Sequence, residues 1–375
     1  MADSYEGYAR LPEDLLNDLL AEAAPIVAKV EELLSPAIER REQLRKELVD
    51  AGMIRRFREV DPQTICGVDG GFAVERTAAV DMLLSVAVGV EGLADRTTAW
   101  DSTQYQWWAR ADCHEIDNER LCRGVMIAQE LAILTVAPHA VRILDGSHLT
   151  LVIQLNSALT SSSSEIRAEA RRVWEKLDTP SALADACRSP TVVAMPKYDS
   201  SREITKILED RTGGDSIPGD DKHLLTLLLD PGEYVVPQRV RDGDPWTTLH
   251  FTAADGAARE DKEVARALTD AIAPLVEREV NFTYFKPDEM SPAFRLELKR
   301  GASTEYIDVL CSTIAGQITG PFVREPYPQY LADVMAKSVG LGLSALQAAV
   351  QLALSRVGRP ELSEFLIHSY RTEGV

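Results

Sequence analysis

The chain has 375 residues, 45% of them hydrophobic and 26% charged, which suits a globular protein of one large domain with additions, or of two domains. Its formal charge of −19 argues against a free-standing nucleic-acid binder, which needs a basic face. The charge leaves room for a chain whose basic residues line one groove, or whose partner delivers the strand. Five scattered cysteines without a Cys-x-x-Cys pair exclude the usual disulfide framework and thiolate zinc site. The opening Met-Ala-Asp-Ser-Tyr-Glu lacks the basic and apolar parts of a signal peptide, and no run of about 18 uncharged apolar residues predicts a membrane span. A cytoplasmic protein is expected.

In chain order, residues 12–58 read as helical, with Leu16, Leu19, Leu20, Ala23 and Ile26 at three- and four-residue steps and an interruption near Pro36. This stripe fits a dimerising arm or packing on its own domain. Arg55, Arg56 and Arg58 close it as a small basic cluster. Residues 65–91 are extended: a first run into Asp69-Gly70-Gly71, then 72–75, then the β-branched 81–90. Together they predict a three-stranded antiparallel meander with a glycine turn after Asp69. Residues 100–117 read as a polar insertion in which Trp107 and Trp108 suit base stacking or burial.

A helix over 118–137 follows, with Asp117 or Asn118 as its cap and Pro138 as its stop, then a strand into Leu144-Asp145-Gly146-Ser147. Further helices are expected over 161–177 and 261–277, with strands over 191–195, 233–237, 247–252, 282–285 and 293–298. Residues 211–222 read as a loop, and the C-terminal part reads as helices over 330–339, 344–357 and 361–368.

Strands, helix, strand, helix, strand is the order of a ribonuclease H-like α/β fold: a mixed sheet flanked by helices, here with an N-terminal helical arm and a helical C-terminus. In that order the first strand and the strand after the helix lie side by side and parallel, so Asp69 and Asp145 sit at neighbouring strand ends. Converging carboxylates are the donors that hold Mg2+ or Mn2+ for phosphodiester chemistry. A third ligand is expected from the helix between them. The strand climbs about 16 Å at roughly 3.3 Å per residue. The helix descends that distance in roughly eleven residues, which lands near Met126. Glu130 and Glu119 share its face, and the arithmetic does not separate them. Lys197, with Ser200 and Arg202 close behind, suits a phosphate oxygen, as do Tyr284, Lys286 and Arg295 on the 282–298 hairpin.

These residues resemble the NurA nuclease family. The resemblance spans roughly residues 60–340. It is carried by Gly-Val-Asp-Gly-Gly, Leu-Asp-Gly-Ser, Val-Ala-Met-Pro-Lys with its Ser-Ser-Arg, Tyr-Phe-Lys with Phe-Arg-Leu-Glu, and Pro-Tyr-Pro-x-Tyr-Leu-Ala-Asp. It implies a Mn2+- or Mg2+-dependent DNA nuclease, a homodimer working with a HerA-type hexameric ATPase in end processing or antiviral defence. By motif the family's aspartates carry over to Asp69 and Asp145, its glutamate to Glu119 or Glu130, and its tyrosine to Tyr327. The family's histidine about two turns after Tyr-Pro is missing, and Asp333 is the oxygen ligand available in its place. On this reading residues 1–60 form a helical region for dimer or partner contact, 61–340 the nuclease domain and 341–375 a helical tail. The alternatives are a catalytically degenerate docking or regulatory subunit of the ATPase, and a metal-dependent phosphatase for small substrates.

Overall fold

Ten strands of one mixed sheet carry the larger part of the chain: β1 (Ile54–Arg56), β2 (Ile65–Arg76), β3 (Asp81–Glu91), β4 (Gln104–Asp112), β5 (Val141–Asp145), β6 (Val192–Met195), β7 (Glu233–Val235), β8 (Gln238–Arg239), β9 (Val280–Lys286) and β10 (Phe294–Lys299). Their order is β1-β7-β9-β10-β6-β5-β2-β3-β4, with β8 also paired to β9. The computed structural model describes residues 13–93, 100, 104–198, 200–214, 216–239, 249–320, 323, 325–359, 361–362 and 366. Two compact units divide the chain: 54–199 with 229–375, and 1–53 with 200–228.

The expected meander is present, built differently from the expectation. Residues 65–76 form one continuous strand rather than two segments with a glycine turn between them. The third strand is β4, from the segment read as an insertion. Its alternation explains the tryptophans: Trp108 is buried and donates from Nε1 to Glu169 at 3.0 Å, while Trp107 faces solvent.

Glycines keep β2 straight because helices close on both of its faces. Toward one face comes α4 (Asn118–Val136), and a Cβ on Gly70 would meet Glu130 and lie 2.5 Å from Met126 Cγ. Toward the other comes α13 (Tyr327–Lys337). A Cβ on Gly67 would stand 2.8 Å from the Gln329 nitrogen, and one on Gly71 would strike the Ala336 carbonyl. None of the three glycines has positive φ; Gly146, at φ +89°, is the one that makes a turn.

Strand β2 runs parallel to β5, and β5 parallel to β6, so the C-terminal ends of β5 and β6 lie in a row beside β2, which runs on past them to Arg76. On the α4 face pack α5 (His148–Leu159), α6 (Ser164–Lys176) and α7 (Thr179–Arg188); of these only α6 was anticipated. On the other face α12 (Thr304–Ala315), also unanticipated, covers a core of Ile143, Val193, Phe285, Leu296 and Leu310. The predicted 261–277 helix breaks at Ile272 into α10 (Arg259–Ala271) and α11 (Ala273–Val276). Residues 249–252 are not a strand, and 240–248 lie outside the described residues. Helix α14 (Val339–Arg356) lays Val339 and Leu343 on Met82 and Leu84. With α13 it forms the one run among the described residues long and apolar enough to pass a membrane-span test, at a mean hydropathy of 1.4. Of the final predicted helix only 361, 362 and 366 are described, and they are helical.

The smaller unit contains α1 (Glu13–Ala21), α2 (Ala23–Glu39), α3 (Arg41–Asp50), α8 (Glu203–Arg211) and α9 (Asp221–Leu228). Leu44, Leu48, Ile204, Leu208 and Leu224 are buried in it. The buried Asp221 carboxylate caps α8, accepting from the Ile204 and Thr205 amides at 3.0 and 2.7 Å. The predicted N-terminal helix breaks near Glu22 and Arg40 instead of at Pro36, which stays inside α2. Leu16, Leu19, Leu20, Ile26, Val30 and Leu33 are exposed.

Because α13 meets β2 through backbone atoms that cannot swing aside, Gly71→Ala is expected to lower stability by roughly 1–3 kcal/mol. Urea unfolding of wild type and variant measures it, with an unchanged midpoint as the contrary result.

Candidate metal centre

Parallel pairing brings the two aspartates together. Val68 registers with Leu144, so Asp69 lies beside Asp145. Asp145 ends β5 as expected and registers with Met195 on β6, whereas Asp69 sits within β2, which runs on to Arg76. Lys197 comes two residues after Met195, on the same side of the sheet. Beyond Asp145 the chain turns at Gly146, and Ser147 caps α5 by accepting from the Leu149 amide. This turn is tied to β10. The buried Glu297 accepts from Ser147 Oγ at 2.9 Å and from the His148 amide at 3.0 Å, with His148 Nδ1 and Arg295 Nε each 3.2 Å away.

Helix α13 closes the centre from above the sheet. Single carboxylate oxygens of Asp69, Asp145 and Asp333 lie within 4.8 Å of one another. Lys197 Nζ stands among them, 3.6 Å from Asp69, 3.2 Å from Asp145 and 2.9 Å from Asp333, with Glu325 at 3.5 Å. Lys337 holds the second oxygen of Asp333 at 2.7 Å. Gln329, fully buried, donates from Nε2 to Asp145 and to the Met195 carbonyl.

The fit to a hard divalent cation rests on this donor set: several carboxylate oxygens, no thiol or imidazole among them, and a lysine ammonium already lodged where they converge. Asp69, Asp145 and Asp333 are the residues that would hold such an ion.

The electrostatics reflect crowding. Burial, then the charge of Asp145, pushes the Asp69 carboxyl up to about 8, against the pull of Lys197. Glu130 is wholly buried against Gly70. Its carboxyl is raised well above the usual range by burial, then by Asp69 and Asp145, with the Gly70 backbone opposing. Burial alone would lower Lys197, but Asp145, Asp333, Asp69 and Glu325 together raise it. Asp333 is lowered: burial is outweighed by its bonds to Lys337 and Lys197.

The helix glutamate the structure brings to the aspartates is therefore Glu130, beside the Met126 position that the strand-and-helix arithmetic reached. Glu119 is half exposed and faces Arg123 at 3.6 Å. Tyr327 opens α13 half-buried, its amide bonded to the Gln317 carbonyl, and the α13 side chains bonded into the centre are Gln329 and Asp333. Ser200 and Arg202 belong to the smaller unit, where Arg202 pairs with Glu209 at 2.7 Å and with the Ile217 carbonyl. Tyr284 and Arg295 need correction as DNA contacts. Both are buried, with the Arg295 guanidinium over the Phe282 and Tyr284 rings and bonded to Glu297. Hairpin position was no guide there, because both faces of this hairpin are covered. Lys286 ends β9, half-buried, opposite Glu233. Arg58 pairs with Asp308 at 2.8 Å. Gln329 and Glu325 were not anticipated, although Gln329 stands one helical turn before Asp333, on the same face of α13.

No protein-family model and no curated protein sequence matches the chain. Solved structures do. The fold is a mixed α/β sheet flanked by helices in the ribonuclease H-like order. More narrowly, the fold is that of the NurA nucleases, as the sequence resemblance implied. The chain matches the NurA nuclease from Sulfolobus solfataricus with a TM-score of 0.59 over 92% of this chain and 98% of the other, at 11% identity. A NurA structure with manganese matches with a TM-score of 0.52 over 87% and 97%, at 10% identity.

Two outcomes follow from the electrostatics. A carboxyl raised in the folded state binds its proton more tightly there than in the unfolded chain, so metal-free protein should lose stability as pH rises from about 4 to about 8. Asp69→Asn should flatten part of that slope in thermal melts taken in EDTA, and an unchanged slope contradicts the assignment. Glu297, by contrast, is lowered, since burial is outweighed by His148 and Arg295. Glu297→Leu strands both partners and is expected to cost about 3–5 kcal/mol at neutral pH, read by denaturant unfolding. The wild-type advantage should fade below about pH 4 as Glu297 takes up its proton.

Proposed function

We propose that the protein is a metal-dependent DNA nuclease that hydrolyses phosphodiester bonds. The observation that carries this reading is the convergence of Asp69 from β2, Asp145 from the end of β5 and Asp333 from α13 in a NurA-type fold. A bound Mg2+ or Mn2+ lowers the pKa of water and offsets charge on the reacting phosphate. Asp69 and Asp145, fixed on the sheet, would hold the ion, and Asp333 would join from α13 where the family has a histidine. Lys197, standing among these carboxylates, is placed to neutralise a phosphoryl oxygen. Glu130 stays buried behind Gly70 beside Asp69, its carboxyl raised by that burial. The resemblance adds Tyr327 to the site, a homodimer, and work beside a HerA-type hexameric ATPase in DNA end processing or antiviral defence. The exposed apolar stripe of α1 and α2 is the segment offered for dimer or partner contact. The −19 charge fits a strand delivered by that partner better than one captured from solution.

A second reading, a degenerate docking subunit, draws on Lys197 occupying the carboxylate cluster and on the missing histidine. Labelled DNA incubated with Mn2+, with and without the ATPase, separates the two. Under the nuclease reading wild type cleaves, and Asp69→Ala or Asp145→Ala falls to background with the circular dichroism spectrum unchanged. Full cleavage by either variant removes the site, and no cleavage by wild type under both conditions supports the docking subunit.

A further inference from the structure

Gln329 is buried completely, yet it is only half satisfied. Its Nε2 donates to Asp145 Oδ1 at 2.5 Å and to the Met195 carbonyl at 3.2 Å, while Oε1, itself buried, has no hydrogen-bond partner among the described residues. The amide cannot be turned over, since that would set its oxygen against a carboxylate and a carbonyl. A residue chosen only to fill this space would be apolar, because a buried unpaired amide oxygen costs free energy that a methionine of similar shape avoids. The glutamine is therefore explained by what its nitrogen does.

What the nitrogen does is occupy one oxygen of Asp145. The other, Oδ2, points to Lys197 Nζ at 3.2 Å, the position where the three aspartates converge. The bond comes from the first turn of α13, which backbone contact with Gly67 holds against β2, so the donor is anchored at its own base. The same helix face carries Asp333 one turn later. We infer that Gln329 is a positioning residue for the centre. It reserves Oδ1 of Asp145 and leaves Oδ2 as the single oxygen offered to a cation, so Asp145 and Asp333 are set by one helix as a pair. This rests on the metal-dependent reading above and adds to it a residue outside the carboxylate set.

The test is Mn2+ binding to the full-length protein without DNA, by isothermal titration and by the electron paramagnetic resonance of free Mn2+, alongside thermal melts in EDTA. Gln329→Met should weaken Mn2+ by roughly 10–100-fold, the effect expected when a group orienting a ligand is removed. Its melt should stay cooperative and close to wild type. Gln329→Asn, one methylene short of Asp145, should weaken binding in the same direction and serves if the methionine variant does not fold. Asp145→Asn is the control. If it weakens Mn2+ while both Gln329 variants bind as wild type does, the positioning role is overturned and the metal reading stands. If Asp145→Asn binds Mn2+ as tightly as wild type, the metal reading falls and the positioning role falls with it. A Gln329 variant that melts earlier but keeps wild-type affinity marks a purely structural residue, and also overturns the inference.

Discussion

Two carboxylates that repel each other are held together by strand pairing, and the rest of the centre is a response to that. Strands β2 and β5 are parallel and in a register that ends with Asp69 beside Asp145. At a separation below 4.8 Å and an effective dielectric of about 20, their repulsion is on the order of 3 kcal/mol. Neither can retreat, since Asp69 is held within β2 by its pairing to β3 and Asp145 ends a run of buried residues. Lys197, brought in by the next parallel strand, answers with a comparable attraction, and protonation of Asp69 answers with the rest.

The glycines of β2 decide which further groups can join. A strand with side chains at 67, 70 and 71 would keep both neighbouring helices at ordinary distance. Without them, α4 brings Glu130 against the strand from one face, and α13 brings Gln329 and Asp333 over the aspartates from the other. The sheet sets the pair, and the missing side chains let two helices complete it. Behind the turn after Asp145, Glu297 performs a quieter service by holding Ser147 and His148 to β10, so the strand end does not drift.

Much of this was legible in the chain, for physical reasons that also mark where reading failed. Asp69 and Asp145 stood out because each ends an apolar run beside glycine, and the parallel neighbours followed from the order of elements. Helix and strand rise carried the estimate to Met126, which does touch Gly70, so geometry alone came within one turn of Glu130. The glycines were misread as a turn because sequence does not separate positive φ from close approach. Only Gly146, of the site's glycines, has the former. Helices α5, α7 and α12 were missed where apolar residues surround the helix or where small residues blur its stripe. Tyr284 and Arg295 are buried because both faces of this hairpin are covered, which strand pattern alone does not reveal. Gln329 gave no signal of its own, since an uncharged residue becomes informative only when its partners are known.

The charge balance of the centre separates an ion-pair core from a cation site. In a core that uses lysine for structure, charges match, and each carboxylate has its own donor. Here Asp69, Asp145, Asp333 and Glu325 share Lys197, and among the described residues only Asp333 has a second cation, Lys337. Four acidic groups against two basic ones leave an excess of negative charge in a largely buried place. Burial first and then that imbalance raise Asp69, and the same acidic groups raise Lys197 against its burial. A divalent ion would supply the charge that is short, and Asp69, Asp145 and Asp333 are the residues that would hold it. A plug built from lysine would have no reason to leave that deficit standing, and this favours the metal-dependent reading over the docking subunit.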